Sequence, residues 1–171
     1  MIRPEFSRPL DLTRPGGPAR HFEANVAECA ALARRFGLVS IENLTADLEL
    51  AINGPIISAS GHLCATFTQS CAVSGEEMAM VAEEYLSLRF VPQGNHAPDE
   101  EVELSEEDCD EIEYTGSVID LGEAVAQSLA LAIDPFATGP AADRVRREVG
   151  LEEPERDSPF AALKGLKPPE G

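Results

Sequence analysis

The stretch GHLCATFTQSCAVSGEEM carries the residue types best suited to chemistry: Cys64 and Cys71, two of the chain's four cysteines, with His62 close by. Thiolate and imidazole are the usual ligands of zinc, and a thiol beside a histidine is the pairing of a cysteine nucleophile. Their spacing argues against both uses. From Ile57 the odd positions Ala59, Leu63, Ala65, Phe67, Cys71 and Val73 are largely apolar, while Ser58, Ser60, His62, Cys64, Thr66, Thr68 and Ser70 are polar. That alternation is the signature of a half-buried strand. The odd separation puts Cys64 and Cys71 on opposite faces, and at ~3.3 Å per residue they lie roughly 23 Å apart, far beyond disulfide or shared-ligand reach. His62 and Cys64 share a face, but two ligands are half of a zinc site and no partner pair is evident. Cys71 therefore reads as a structural residue, with no metal and no cofactor expected.

Other chemical signatures are scarce. The remaining histidines, His21 and His96, fall in a loop and in an acidic linker, so a Cys-His dyad needs an unforeseen tertiary meeting. There is no glycine-rich phosphate loop, GxSxG elbow, HExxH or EF-hand pattern. No catalytic residue is assigned on these grounds.

The elements that would position these groups can be read from periodicity. Phe6, Leu10 and Leu12 share a period-2 register before the breaker TRPGGP, which predicts a short edge strand that tolerates Pro9, followed by a loop. From Phe22, the residues Val26, Cys29, Ala30, Ala33 and Phe36 recur at helical steps and Gly37 supplies a stop, predicting an amphipathic helix. TADLELAIN alternates as a strand and ends at the turn signal Asn53, Gly54, Pro55. After the turn around Ser74, Gly75 and Glu76, the even positions Met78, Met80, Ala82, Leu86, Leu88 and Phe90 predict the second arm of a hairpin, with Glu84 interrupting that face. Ile112, Tyr114 and Val118 suggest a last strand. Asp120 and Glu123 then form a capping-box-like start to a helix with Leu121, Ala124, Val125, Ser128, Leu129 and Ala132 on one face, stopped by Asp134 and Pro135.

These elements predict an α+β domain over residues 1–135, an antiparallel sheet of about five strands with two packed helices. Residues 92–109 read as a mobile acidic loop, since no apolar periodicity there offsets the ordering entropy. Residues 136–171 read as a mostly unstructured, flexible tail. Within it Ser158 and Pro159 could start a short helix over 158–166 whose Phe160, Leu163 and Leu166 are apolar at docking spacing. A turn or two of helix is marginal alone and gains stability by docking, on this domain or on another molecule.

Charge narrows the classes of partner. Thirteen Lys and Arg stand against 31 Asp and Glu in 171 residues, a formal charge of -18 that repels a phosphate backbone. Residues 99–113, DEEVELSEEDCDEIE, hold ten acidic groups and no basic one, which suits a solvated loop or a surface for a basic partner. The basic islands at Arg3, Arg8, Arg14 and Arg20, and at Arg144, Arg146 and Arg147, read as solvated charges offset by neighbours such as Asp143 and Glu148. The first twenty residues contain no apolar run, and AVAQSLALAI is too short to span a bilayer, so no leader and no membrane contact are expected. Four scattered cysteines without a disulfide spacing point to the reducing cytoplasm.

A strand, an alternating strand ending in a cysteine, a turn with glycine, an acidic insertion, VIDLGEAVAQSLALAIDP and a terminal DSPFAALKGL, in that order, resemble the YceD family, the large ribosomal RNA subunit accumulation proteins. The likeness covers nearly the whole chain. Its most specific positions are Ile119, Asp120 and Leu121 with the helix through Leu129, Leu131 and Pro135, and the terminal Pro159, Phe160, Ala161 and Leu163. The family often carries a CxxC pair before the turn, where this chain has Cys71, Ala72, Val73 and Ser74. The second thiol is missing, and with it the partner that a zinc or redox role needs.

The resemblance implies a role in 23S ribosomal RNA accumulation and large-subunit assembly, without established catalysis. The partner it implies is a basic large-subunit ribosomal protein or a pre-ribosomal particle, since the family's gene commonly adjoins that of a small basic large-subunit protein. Direct RNA binding would be weak or indirect. Pro159, Phe160, Ala161, Leu163 and Leu166 are assigned to partner binding through the tail. Two other classes stay open: an rRNA-processing nuclease, which needs carboxylates clustered around Mg²⁺, and a direct RNA chaperone resting on the arginine islands.

Overall fold

A computed structural model describes residues 4–94 and 110–150. In chain order its elements are β1 (Pro9–Asp11), β2 (Ala19–Glu23), α1 (Val26–Phe36), β3 (Ser40–Asn53), β4 (Ile56–Ser70), β5 (Glu77–Pro92), β6 (Asp110–Tyr114), β7 (Val118–Asp120), α2 (Leu121–Ala132) and α3 (Ala142–Glu148). The architecture is α+β: a five-stranded sheet in the order β2-β3-β4-β5-β6, and a two-stranded ribbon of β1 with β7. No helix among the described residues is long and apolar enough to cross a membrane.

Two tight antiparallel connections set the sheet's register. Gly54, at φ 63°, turns β3 into β4 with Asn53 opposite Ile56, and β4 meets β5 with Ser70 opposite Glu77. The alternation then fixes which residues face inward. Ile57, Ala59, Leu63, Ala65 and Phe67 of β4, with Ala82, Leu86, Leu88 and Phe90 of β5, are buried in one core with Cys29, Leu32 and Ala33 of α1 and Leu121, Val125 and Leu129 of α2. Both helices thus cover the same face. The other face is exposed or half-exposed along β2 to β5, apart from Val91 near its lower edge.

The antiparallel rule holds for four of the strands and fails for β6, which pairs with β5 in parallel. Antiparallel neighbours follow from short turns, whereas β5 and β6 are separated by residues 93–109, enough chain for β6 to begin beside Leu88 and run with β5 to Pro92. The predicted last strand is in fact two. A turn with Gly116 at φ 79° separates β6 from β7, and β7 leaves the main sheet to place Ile119 opposite Leu10. Pro9 accordingly belongs to this ribbon and not to an edge of the main sheet.

Three further differences have local causes. The segment read as a loop before α1 forms β2, held by its pairing with β3 from Ala19 opposite Glu49 to Glu23 opposite Thr45. Asn25 caps α1 by accepting from the Ala27 and Glu28 amides, and this cap sets the phase of the helix. Val26, placed on the apolar stripe by spacing, is consequently 88% exposed, while Leu32 is buried. Finally, α3 lies within the stretch read as tail, with Ala142 buried. The acidic residues 95–109 and the whole 158–166 segment lie outside the described residues.

The N-terminal segment enters the core ahead of β1. Phe6 has no exposed surface, and the chain there crosses so close to α2 that a Cβ on Gly122 would lie 2.3 Å from the Phe6 carbonyl oxygen and 2.9 Å from the Arg8 nitrogen. Both are backbone atoms, so a side chain is accommodated only by displacing the segment. Gly122→Ala should therefore cost roughly 1–3 kcal/mol, read as a lower denaturant midpoint at unchanged slope. An unaltered midpoint would contradict this close approach.

Candidate functional site

Cys71 continues the inner register of β4 one residue past its end and is 3% exposed. Its backbone closes the turn, with Cys71 N–H donating to the Glu76 carbonyl at 2.8 Å and Gly75 N–H to the Cys71 carbonyl at 2.9 Å. Its sulfur joins that turn to a distant segment. Sγ accepts from the Ser74 and Gly139 amides, each at 3.3 Å, and Ala72 N–H donates to the Ala137 carbonyl at 3.0 Å alongside. The Gly139 amide first, then Ser74, hold the thiol down to about 6, against burial, which raises it. The arrangement stabilises a thiolate in place, and its low exposure keeps bulky reagents off.

Ser74 occupies the position where a second thiol would complete a CxxC pair. Its amide donates to Cys71 Sγ and its Oγ accepts from the Glu76 amide at 3.3 Å, so it shapes the turn. Cys64 lies half-buried in the strand, and Cys29 and Cys71 are buried; all three are free thiols. His62 is exposed on the outer face, its ring edge-on to Tyr85 with centroids 5.1 Å apart. Cys71 and His62 are thus not brought together. Among the described residues no group of three or more His, Cys, Asp or Glu is placed to hold a metal.

Gln69, singled out by no motif, belongs to the same end of the sheet. It is 5% exposed on the inner register, and its Nε2 donates to the Asp134 carbonyl at 3.0 Å, tying β4 to the chain leaving α2. Its Oε1 has no partner among the described residues. A polar residue at an odd position of an otherwise apolar face was the available signal.

Ile119, Asp120 and Leu121 form a latch at the opposite end of α2, which at 1.5 Å per residue is ~18 Å long. Ile119 and Leu121 are buried. The Asp120 carboxylate caps the helix by accepting from Glu123 N–H at 3.1 Å, and it also accepts from Arg8 N–H at 2.7 Å and Ser7 Oγ at 2.6 Å. Leu121 N–H completes the grip by donating to the Arg8 carbonyl at 3.1 Å. Around this latch Arg8 donates to both oxygens of Glu28 at 2.8 and 2.9 Å, with its guanidinium 4.3 Å above the Phe6 ring. Arg35 likewise clasps both oxygens of Glu123 at 2.9 and 2.7 Å and reaches Glu5 at 3.0 Å. These bonds, Arg8 to Glu28 and Arg35 to Glu123, hold both glutamates below the usual carboxylate range. The three residues of the ID-L block therefore hold the fold, and nothing in their contacts presents them to a partner.

Residues 59–167, from β4 past α3, match the family model described as large ribosomal RNA subunit accumulation protein YceD. The match includes the Cys71 turn and the Asp120 latch, while α1 and β1 to β3 precede it. No match was found to a curated protein or to a solved structure.

The lowered Cys71 thiol has a signed consequence for stability. The folded thiol ionises at about 6 and the unfolded one at ~8.5, so the fold gains stability from this residue as pH rises through that interval and loses it as pH falls through 6. Relative to Cys71→Ala, the wild type should thus gain in unfolding midpoint between pH 5.5 and pH 8.5, and the Gly139 amide should exchange faster in the variant. A pH-independent difference would show that the thiolate is not held by these donors.

Proposed function

The chain belongs to the YceD family of large ribosomal RNA subunit accumulation proteins, and from that membership we propose that it is a non-enzymatic ribosome biogenesis factor. In this reading it supports 23S rRNA accumulation and large-subunit assembly in the cytoplasm, through protein contacts. What supports protein contacts over RNA contacts is where the cations go. Arg8 is bound to Glu28, Arg35 to Glu5 and Glu123, Arg89 to Glu111, Arg144 to Glu76 and Glu148, and Arg146 to Asp143. Arg20 is turned onto the carbonyls of Pro15, Gly17 and Ala19. A charge of -18 thus remains with most of the described arginines engaged internally, which disfavours a phosphate backbone and favours a basic protein.

The direct partner in this reading is a basic large-subunit ribosomal protein or the pre-ribosomal particle that carries it. The tail residues Pro159, Phe160, Ala161, Leu163 and Leu166 fall within the family match and supply the apolar part of the contact, with the acidic body supplying the rest. A nuclease would instead need carboxylates converging on Mg²⁺, and among the described residues no group of three or more His, Cys, Asp or Glu is placed to hold a metal.

Truncation tests the tail most simply. The cut belongs after Gly150, because Ala137 and Gly139 bond to the Cys71 turn and Ala142 is buried. The shortened protein should unfold within a few degrees of the full chain and co-sediment less with large-subunit precursors, with Phe160→Ala reproducing most of the loss. Binding should weaken as salt rises, while purified ribosomal RNA should bind poorly even at low salt. Tight binding to naked RNA at moderate salt, with the truncated protein as active as the intact one, would overturn the reading.

A further inference from the structure

The outer face of the sheet carries an ordered arrangement of side chains that the fold does not use. Strand register aligns His21, Asp47, His62 and Tyr85 in one row across β2 to β5. The flanking rows run Glu23, Thr45, Cys64, Glu83 and Ala19, Glu49, Ser60, Ser87. Rows two residues apart lie ~7 Å from each other, and four strands span ~14 Å, so the patch is wide enough for one extended segment. It holds four carboxylates, those of Glu23, Asp47, Glu49 and Glu83, and no Lys or Arg within its rows. His21 Nδ1 bonds Asp47 at 2.7 Å, and both side chains are largely exposed. A groove of about 590 Å³ runs over the central row and the Ala19 row, with Arg20 at its β2 side and Tyr85, 63% exposed, at its β5 side, and Val81 beyond it is equally exposed.

An exposed aromatic on an open sheet face could stack either a nucleobase or a guanidinium. The charge decides between them. A base arrives with its phosphate, which four carboxylates repel, and the nearest arginines, Arg20 and Arg89, are turned onto backbone carbonyls and onto Glu111 respectively. An arginine- or lysine-rich segment meets the opposite field, with carboxylates for its charges and the Tyr85 face for cation–π contact. No helix covers this face among the described residues, and the acidic residues 99–113 carry the wrong charge to be its occupant.

We propose that the outer sheet face centred on Asp47, His62 and Tyr85 is the docking surface for an extended, arginine- and lysine-rich segment of a partner protein. This rests on the protein-contact reading above and adds the place of contact. An extended segment that projects its cations from one side can meet Asp47 and Glu49 on β3 and Glu83 on β5 with that one face. Asp47 and His62 are fixed by pairing on both sides and Tyr85 by its pairing with His62, so docking needs no reordering of the backbone at these positions.

The test uses the full chain, a labelled peptide of alternating Arg and Ala, and anisotropy at fixed ionic strength, with the site mapped by amide chemical-shift changes. The double variant Asp47→Lys, Glu83→Lys should weaken binding by about tenfold or more, and Tyr85→Ala by several-fold. Asp143→Lys, Glu148→Lys, which changes net charge equally on α3, should change it by less than about twofold. Shift changes should gather on β3 to β5. Equal weakening by both double variants, or shift changes gathered elsewhere, would overturn the proposal, as would binding that appears only after residues 151–171 are removed, since the chain's own tail would then be the occupant. Preferential binding of an RNA oligonucleotide to the same rows would overturn it too. Co-sedimentation with large-subunit precursors separates the two levels: its survival in the outer-face double variant refutes the surface alone, and its absence from the wild type refutes the protein-contact reading while the peptide result stands by itself.

Discussion

The fold depends on a single carboxylate more than on any other polar group. Asp120 ends β7 and begins α2, and its two oxygens accept from Glu123, Arg8 and Ser7 at once. The first bond starts the helix; the other two fasten a segment more than a hundred residues away in the chain. With that segment fixed, Phe6 fills the core between the helices, β1 pairs with β7, and Arg8 and Arg35 find Glu28 and Glu123. Glycine at 122 is the steric counterpart, since only a missing side chain lets the two backbones approach this closely. Removing the carboxylate would leave two backbone amides in a half-buried position without an acceptor, a larger penalty than the loss of an ordinary cap.

At the other end of α2 a sulfur does a comparable task. Cys71 accepts from amides on both sides, one in its own turn and one in the segment that follows the helix. The helix is therefore anchored at its start by a cap that also holds the remote Ser7–Arg8 segment, and the chain that follows it is held by Cys71. That leaves Asp120 and Cys71, within the most recognisable sequence pattern, occupied in holding the structure together.

Where periodicity alone decides, the sequence was readable. The alternation from Ile57 placed Cys71 on the buried face and separated it from Cys64 and His62, as the structure has it. Gly37 ended α1 as expected, in the left-handed conformation that ends a helix without a side-chain clash. What escaped was set by partners distant in the chain. ARHFE offers one half-buried aromatic and no clean alternation, and it is a strand because β3 pairs with it. The direction of β6, parallel to β5, is encoded by no local pattern. Asp120 was legible as a cap, but its hold on Ser7 and Arg8 was not, because a carboxylate advertises neither its second acceptor site nor which amide will fill it. Gln69 was singled out by no motif, and its bond to Asp134 depends on the path of the chain after α2.

The acidity of the protein acquires a direction from this arrangement. Arg8 and Arg35 hold elements together, carboxylates outnumber cations 31 to 13 in the chain, and four of those carboxylates stand in register on a face that no helix covers among the described residues. Zero-length carbodiimide crosslinking of the tagged protein in native large-subunit precursors, with the crosslinked peptides sequenced, addresses this most directly, since the reagent joins only a carboxylate and an amine already in contact. The account predicts crosslinks from carboxylates of this protein to lysines of a basic large-subunit protein, with Asp47, Glu49 or Glu83 among them. Ultraviolet crosslinks from the same particles to 23S rRNA, with no carboxylate-to-lysine crosslink to any ribosomal protein, would contradict it.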